Sequence, residues 1–266
     1  MITSRQNPQI KEALTLQDRR ARDESGLFLI EGFREVTRAV KGGVVLQKLF
    51  VCPALFLGEN EKALIEQIES TGTDPLFCSE EVFRKLSYRD RPDGLIAVAV
   101  QMHFELGSLK VKDSPFFIVA EGIEKPGNLG SILRSADGAG AHGVIVCDRC
   151  TDIYNPNVVR ASVGTLFTQP VVEATGPDAY NFLKRHKIQV VAATPSAKTL
   201  YTEASLAGAV ALVVGTEQLG LTELWMHAAD IQVAIPMRGV ADSLNVATAA
   251  TLLMYEVVRQ RNHLLR

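Results

Sequence analysis

Residues 235–246 read I-P-M-R-G-V-A-D-S-L-N-V, and an alanine-rich apolar run follows them as far as Arg261. The pattern predicts a strand over residues 231–237, then a short polar loop and a long helix. Ser243 or Asp242 is expected to cap this helix, because both side chains can accept bonds from the free N–H groups of a first turn. A polar loop between an apolar strand and an apolar helix is a suitable place for a small molecule to bind through main-chain groups.

Composition limits the classes of protein to which the chain can belong. Its 266 residues suffice for one large or two ordinary domains, and 28 basic against 30 acidic residues give a net charge of −2. Any RNA contact must therefore come from local basic patches. The 4 cysteines are too few for a disulfide scaffold, and we find no signal peptide and no apolar run that would span a bilayer. We expect a cytoplasmic protein that does not enter a membrane.

Strands and helices alternate along the chain in two series. The first series, in residues 1–106, predicts a small α/β domain, and the pattern is lost over residues 103–114, where we place a linker. The second series, in residues 115–266, starts with a buried strand at 116–120, a glycine-containing loop at 121–130 and a helix after it. It predicts an α/β fold with a mostly parallel, doubly wound sheet.

Two basic segments of the first domain allow two interpretations each. Residues 5–22 predict one polar helix that ends with Arg19, Arg20 and Arg22. Such a cluster is either a solvated helix end, where cations suit the helix dipole, or a patch that contacts phosphates. The charged turn at residues 88–94 is either a solvated loop or a second RNA contact, and its composition favours the loop.

Two patterns resemble ligand sites but stand in the wrong context. G-A-G-A-H-G at residues 138–143 has the glycine spacing of dinucleotide folds, but it ends a predicted helix instead of opening one. We interpret it as a helix stop and a turn, with His142 in a structural role. C-D-R-C at residues 147–150 has zinc spacing without a second cysteine or histidine pair nearby, so we predict no metal site.

Three polar loops follow predicted strands of the second domain. The first carries Asn128 and, one to two helical turns later, Arg134; the second is G-T-E-Q-L-G at residues 215–220; the third lies within residues 235–246. Loops at the carboxyl ends of parallel strands are where α/β proteins bind ligands. Taken singly, each residue has a simpler interpretation, such as an exposed helix position for Arg134.

Taken together, the three loops resemble the motifs of a known enzyme family. N-L-G-S-I-L-R at residues 128–134, G-T-E-Q-L-G at 215–220, and I-P-M with S-L-N-V inside 235–246 have the order and approximate spacing of the SpoU (TrmH) family. These are RNA 2′-O-ribose methyltransferases of the SPOUT superfamily. N-P at residues 7–8 and F-L-I-E-G at 28–32 are similar to the ribosomal-protein-like RNA-binding domain that often precedes them.

The resemblance implies a fold, a cofactor and partners. Residues 115–266 would form a trefoil-knotted methyltransferase domain, and residues 1–106 would bind the RNA substrate, which we expect to be rRNA. S-adenosylmethionine would bind in a bent form against the knot loops, and the enzyme would be a homodimer whose sites form between two subunits. An arginine keeps its proton in proteins, so the family's catalytic arginine is expected to orient the ribose hydroxyl and a phosphate.

Site residues follow from the resemblance, position by position. The catalytic set is Arg134, Asn128, Glu217 and Asn245. The residues expected to bind the cofactor are Thr194, Gly215, Glu217, Gly220, Ile235, Met237, Ser243, Leu244 and Val246. The alternative function is a catalytically inactive RNA-binding or ribosome-assembly protein with the same fold, against which the intact catalytic set argues. The misplaced glycine pattern leaves little support for a nucleotide-binding oxidoreductase.

Overall fold

The strands of the chain form two separate sheets. The structure is a computed structural model, and it describes residues 1–111, 113–148, 151–216 and 218–263. One unit contains Met1–Met102 together with Asp152–Thr168, and the other contains the rest of the described chain. The segment 152–168, which lies within the predicted second domain, therefore packs with residues 1–102.

A four-stranded sheet forms the centre of the first unit, in the order β1-β4-β2-β3. The strands are β1 (Leu27–Glu31), β2 (Leu46–Val51), β3 (Pro75–Phe77) and β4 (Leu95–Val100). β4 runs antiparallel to both of its neighbours, and β2 runs parallel to β3. The helices of this unit are α1 (Pro8–Thr15), α2 (Arg19–Ser25), α3 (Phe33–Lys41), α4 (Glu61–Glu69), α5 (Glu80–Leu86) and α7 (Pro156–Ala161).

The predicted single helix over residues 5–22 is wrong, because two helices occupy this region. α1 is capped by Asn7, whose side chain accepts a bond from the backbone N–H of Gln9. Asp18 then starts α2 by accepting from the backbone N–H of Arg20 at 2.7 Å. An N-terminal cap in the middle of a polar run interrupts one helix and begins the next. The arginines therefore begin a helix instead of ending one.

A seven-stranded sheet forms the second unit, and its described pairs are all parallel, as predicted. Its order is β7-β6-β5-β10-β8-β11-β9. The strands are β5 (Phe116–Glu121), β6 (Gly143–Cys147), β7 (Val171–Ala174), β8 (Gln189–Ala193), β9 (Thr199–Leu200), β10 (Val210–Val214) and β11 (Ile231–Ala234). β5, β6 and β10 are buried along their whole length, as expected for parallel strands covered on both faces.

The helices of the second unit are α6 (Pro126–Gly138), α8 (Gly176–Arg185), α9 (Glu223–Ala228) and α10 (Val246–His263). α6 starts at Pro126, earlier than predicted, because proline suits the first turn of a helix. Asn128 thus lies in a first turn and not in a loop. β11 ends three residues before the predicted Met237, and β9 was missed. No helix in the described ranges is long and apolar enough to span a bilayer. The trefoil knot stays a prediction.

Candidate functional site

A cavity of about 470 Å³ opens at the carboxyl ends of β8, β10 and β11. Thr194 and Pro195 line it after β8, and Ile235 and Met237 line it after β11. After β10, the lining residues are Gly215, Thr216, Gln218, Leu219 and Gly220. The start of α10 and the residues before it complete the wall. This is the edge where parallel sheets bind ligands, and the volume is within the usual range for small-molecule sites.

Residues that the sequence assigned to cofactor binding surround this cavity. Those in its lining are Thr194, Gly215, Gly220, Ile235, Met237, Ser243, Leu244 and Val246. Glu217, assigned both to catalysis and to the cofactor, lies outside the described residues. The described lining includes one carboxylate, Asp242, and no lysine, arginine or histidine. The cavity is therefore electrostatically better suited to a cationic ligand than to an anionic one.

The described residues of the loop 215–220 close a tight turn through hydrogen bonds of their backbone. Thr216 and Gly220 exchange N–H to carbonyl bonds at 3.1 Å each, and the backbone N–H of Leu219 donates to the Thr216 hydroxyl at 2.9 Å. A Cβ atom on Gly215 would collide with the carbonyl of Gly220, so glycine is required there. A rigid turn of this kind can present backbone donors and acceptors to a ligand.

Glu121, at the end of β5, holds the far end of this turn. Its Oε2 accepts from the backbone N–H of Thr222 at 2.8 Å, and its Oε1 accepts from the Thr222 hydroxyl at 2.7 Å. Glu121 is only 2% exposed. Sequence reasoning missed this residue, although an acidic residue at the end of the apolar run F-F-I-V-A-E is the signal that could have identified it.

Asn128 and Asn245 meet between α6 and α10. Asn245 Nδ2 donates to Asn128 Oδ1 at 3.1 Å, and Asn245 Oδ1 accepts from the backbone N–H of Ala247 at 3.1 Å. The cap of α10 is therefore Asn245, and the prediction of Ser243 or Asp242 is wrong. All three are good capping types, so local sequence could not separate them. Asn128 also lines a small depression that shares wall residues with the cavity.

Arg134 lies on α6, six residues after Asn128, and the cavity lining does not include it. Six residues turn a helix by about 240°, so the two side chains leave α6 in different directions. The Arg134 side chain is exposed, and it has no hydrogen bond or ion pair with any residue that the structure describes. The described part of the chain thus brings Asn128 and Asn245 together and gives the Arg134 side chain no partner.

Known protein families match both parts of the chain. Residues 115–255 match the SpoU rRNA Methylase family, and residues 7–97 match the MRM3-like substrate binding domain. The chain belongs to the SpoU rRNA methylase family. The SpoU match covers β5 to α10, the elements that carry the cavity and Arg134.

Individual SpoU relatives match over nearly the whole chain. A 23S rRNA (uridine(2479)-2′-O)-methyltransferase of Streptomyces viridochromogenes is 31% identical over 98% of this chain and 92% of its own. The crystal structure of an RNA 2′-O ribose methyltransferase is 43% identical, with a TM-score of 0.86, and covers 98% of this chain and 99% of that one. An AdoMet-bound rRNA methyltransferase from Sinorhizobium meliloti is 29% identical, with a TM-score of 0.89, and covers 100% and 98%.

The other candidate patterns have structural explanations in this SpoU protein. Gly138 ends α6, Gly140 has φ +68°, and β6 starts at Gly143, so the glycine pattern is a helix stop and a turn, as predicted. His142 Nδ1 accepts from the backbone N–H of Phe116 at 3.1 Å. Burial raises the pKa of the Cys147 thiol to about 12. Its partner in the C-D-R-C pattern, Cys150, lies outside the described residues.

Proposed function

We propose that this protein transfers a methyl group from S-adenosylmethionine to the 2′-hydroxyl of a ribose in rRNA. The observation that carries the proposal is the cavity at the sheet edge, lined by residues of the second and third motif loops and by the residues after β8, with no cationic side chain in its described lining. S-adenosylmethionine has a sulfonium centre, whereas a dinucleotide has an anionic pyrophosphate. The charge of the lining therefore favours the methyl donor, and its backbone-rich loops suit the edges of an adenine.

Different residues would bind the cofactor and position the ribose hydroxyl. The cavity-lining set from Thr194 to Val246 would hold the cofactor, which supplies an activated methyl group when bound. Arg134 would orient the ribose hydroxyl and an adjacent phosphate by its planar fork of donors. Asn128 and Asn245 would fix the start of α10 against α6, and Glu217 would order the site. Positioning of this kind is worth several powers of ten in rate.

A homodimer is part of the proposal, because Arg134 points away from Asn128 on the same helix and is exposed. Leu252 and Tyr255 on α10 are exposed by 39% and 50%. They lie beside α6, since Ser135 Oγ is 2.7 Å from Thr251 Oγ1. A twofold interface over this face would bury these apolar side chains and bring Arg134 of one copy to the cavity of the other.

Subunit complementation tests this arrangement. Arg134→Ala and Gly215→Val are each expected to be inactive as homodimers, the second because its side chain would distort the 215–220 turn. If Arg134 acts across the interface, the purified heterodimer retains one intact site and about half of the wild-type activity. An inactive heterodimer, or a monomer in sedimentation, would exclude the shared site.

Methyl transfer itself is tested with purified protein, labelled S-adenosylmethionine and rRNA from a strain that lacks the gene. Incorporation at a single ribose 2′-oxygen is expected, and the same nucleotide should lose its methyl group in the deletion strain. An RNA that binds without incorporation would favour the inactive RNA-binding protein. We place the enzyme in the cytoplasm, because Cys52, Cys78 and Cys147 are free thiols, as in a reducing compartment.

A further inference from the structure

Tyr88 in the first unit is an exposed aromatic residue held in a fixed position. Its side chain is 42% exposed. Its hydroxyl accepts from Asn157 Nδ2 at 2.9 Å, and its backbone N–H donates to Glu31 Oε2 at 2.7 Å. Both ends of the residue are therefore restrained while part of its ring meets solvent. An exposed phenol that is already ordered loses little conformational entropy when a flat group stacks on it.

Three arginines of the first unit, Arg34, Arg91 and Arg160, are exposed, and their side chains have no hydrogen bond or ion pair within the described chain. The other arginines there have partners. For example, Arg5 pairs with Glu81 at 3.0 Å. A guanidinium group with no carboxylate beside it attracts an external anion more strongly than a paired one does.

All three arginines lie on segments that contact or form the loop 87–94, which carries Tyr88. Arg160 and Tyr88 line the same surface depression. Arg91 follows Tyr88 by three residues, and Arg34 follows Phe33, whose backbone N–H donates to Asp93 Oδ2 in this loop at 2.8 Å. The Arg160 side chain thus shares a depression with Tyr88, and Arg34 and Arg91 are near this loop along the chain.

Partly buried contacts hold the Tyr88 loop and the end of α7 in place. Arg89 Nη2 pairs with Glu35 at 2.7 Å and donates to the Glu31 carbonyl at 2.7 Å, which fixes the loop to β1 and α3. Val163, just after α7, has φ +55°, a costly conformation for a β-branched residue, and its carbonyl accepts from Arg38. Backbone strain of this kind persists where the surroundings enforce it, often at functional sites. The bond from Arg38 holds Val163 next to the end of α7, the helix that carries Arg160.

We propose that Tyr88, Arg34, Arg91 and Arg160, here called the Tyr88 face, bind an unpaired segment of the substrate RNA. A base would stack on the Tyr88 ring, and the arginines would contact flanking phosphates. The inference rests on the proposed function and adds where and how the RNA is held. It favours single-stranded loops or bulges, whose bases can leave their stack, over regular duplex.

The test measures affinity for a labelled single-stranded oligoribonucleotide and for the same sequence as a blunt duplex, at several salt concentrations. Tyr88→Ala is expected to weaken single-strand binding about 10-fold, and Tyr88→Phe should stay near wild type. Arg91→Ala/Arg160→Ala should reduce the salt slope by about 1.4. The matched control is Arg19→Ala/Arg20→Ala, which removes two exposed but paired arginines and should leave the slope unchanged.

Equal losses in the control and the Arg91/Arg160 variant, or equal wild-type affinity for single strand and duplex, would overturn the proposal. If Tyr88→Ala does not fold, as judged by circular dichroism, the arginine pair decides the matter alone. Calorimetry with S-adenosylmethionine on every variant keeps the two ideas separate. A wild type that binds RNA through this face but neither binds the cofactor nor methylates RNA would contradict the proposed function only.

Discussion

The arginines of α2 and those of the Tyr88 face are the same residue type in the same unit, but the fold treats them differently. Arg19 pairs with Asp23 at 3.5 Å and Arg20 pairs with Glu24 at 2.7 Å, each one helical turn away. Arg22 is 1% exposed and pairs with Asp152 at 2.8 Å. Arg34, Arg91 and Arg160 have no such carboxylate among the described residues. An arginine that can bind RNA is therefore distinguished by the absence of a carboxylate partner among the described residues, and not by clustering along the sequence.

The difference bears on both interpretations of the α2 cluster. Exposed pairs at this spacing are typical of a solvated helix, and they favour that interpretation for Arg19 and Arg20. Arg22 has a role that neither interpretation included, since it also donates to the carbonyls of Leu16 and Gln17 at 2.8 and 2.9 Å. It joins α2 to the returning segment 152–168 within the first unit.

Breaking the buried pair should give the largest change in stability. Arg22→Ala would leave Asp152 buried at 5% exposure without its cation and would remove the donor from two carbonyls. We expect a loss of about 3–5 kcal/mol in the free energy of unfolding, measured by urea denaturation. A loss below about 1 kcal/mol, the value typical of an exposed pair, would mean that the ion pair does not hold the segment.

Removing the support of the 215–220 turn should have the next largest effect. Glu121→Ala would leave the backbone N–H and hydroxyl of Thr222 without their acceptors, at a cost of about 1–3 kcal/mol. Because this turn lines the cavity, calorimetry should show weaker S-adenosylmethionine binding, by about 10-fold. Glu121→Gln retains one acceptor oxygen and should lie between the two. Unchanged affinity in the alanine variant would separate Glu121 from the site.

Two substitutions of Asn245 distinguish its cap from its contact with Asn128. Asn245→Ala should cost about 1 kcal/mol of stability because α10 loses its cap. Asn245→Asp keeps the capping oxygen but loses the Nδ2 donor to Asn128, so its melting temperature should stay near wild type while turnover falls. If turnover follows stability in both variants, Asn245 acts only as a cap.

The smallest effect is expected at the exposed pairs of α2. Arg19→Ala and Arg20→Ala should each change the free energy of unfolding by less than about 0.5 kcal/mol, because water screens such pairs. Thermal melts at low and high salt measure this. A loss of several kcal/mol would mean that α2 is held by more than the Arg22 contact.

Sequence could predict the elements whose signal is local. β5 begins at Phe116 as predicted, because a short apolar run specifies a buried strand without reference to distant residues. The predicted position of polar loops after strands also indicated the sheet edge at which the cavity lies. Contacts between residues far apart in the sequence could not be predicted from local patterns. The pairing of Arg22 with Asp152 spans 130 positions, and only the folded chain shows that Arg160 lies beside Tyr88.

Arg134 tests the central claim most directly, because we propose it as the catalytic arginine and its exposed side chain has no partner among the described residues. A single-turnover assay of Arg134→Ala with saturating S-adenosylmethionine, alongside calorimetry, is the decisive measurement. We predict unchanged cofactor affinity, a loss of about 10²-fold or more in the rate of methyl transfer, and little rescue by Arg134→Lys. Near-normal turnover by Arg134→Ala would contradict the account and return Arg134 to the status of an ordinary surface residue of α6.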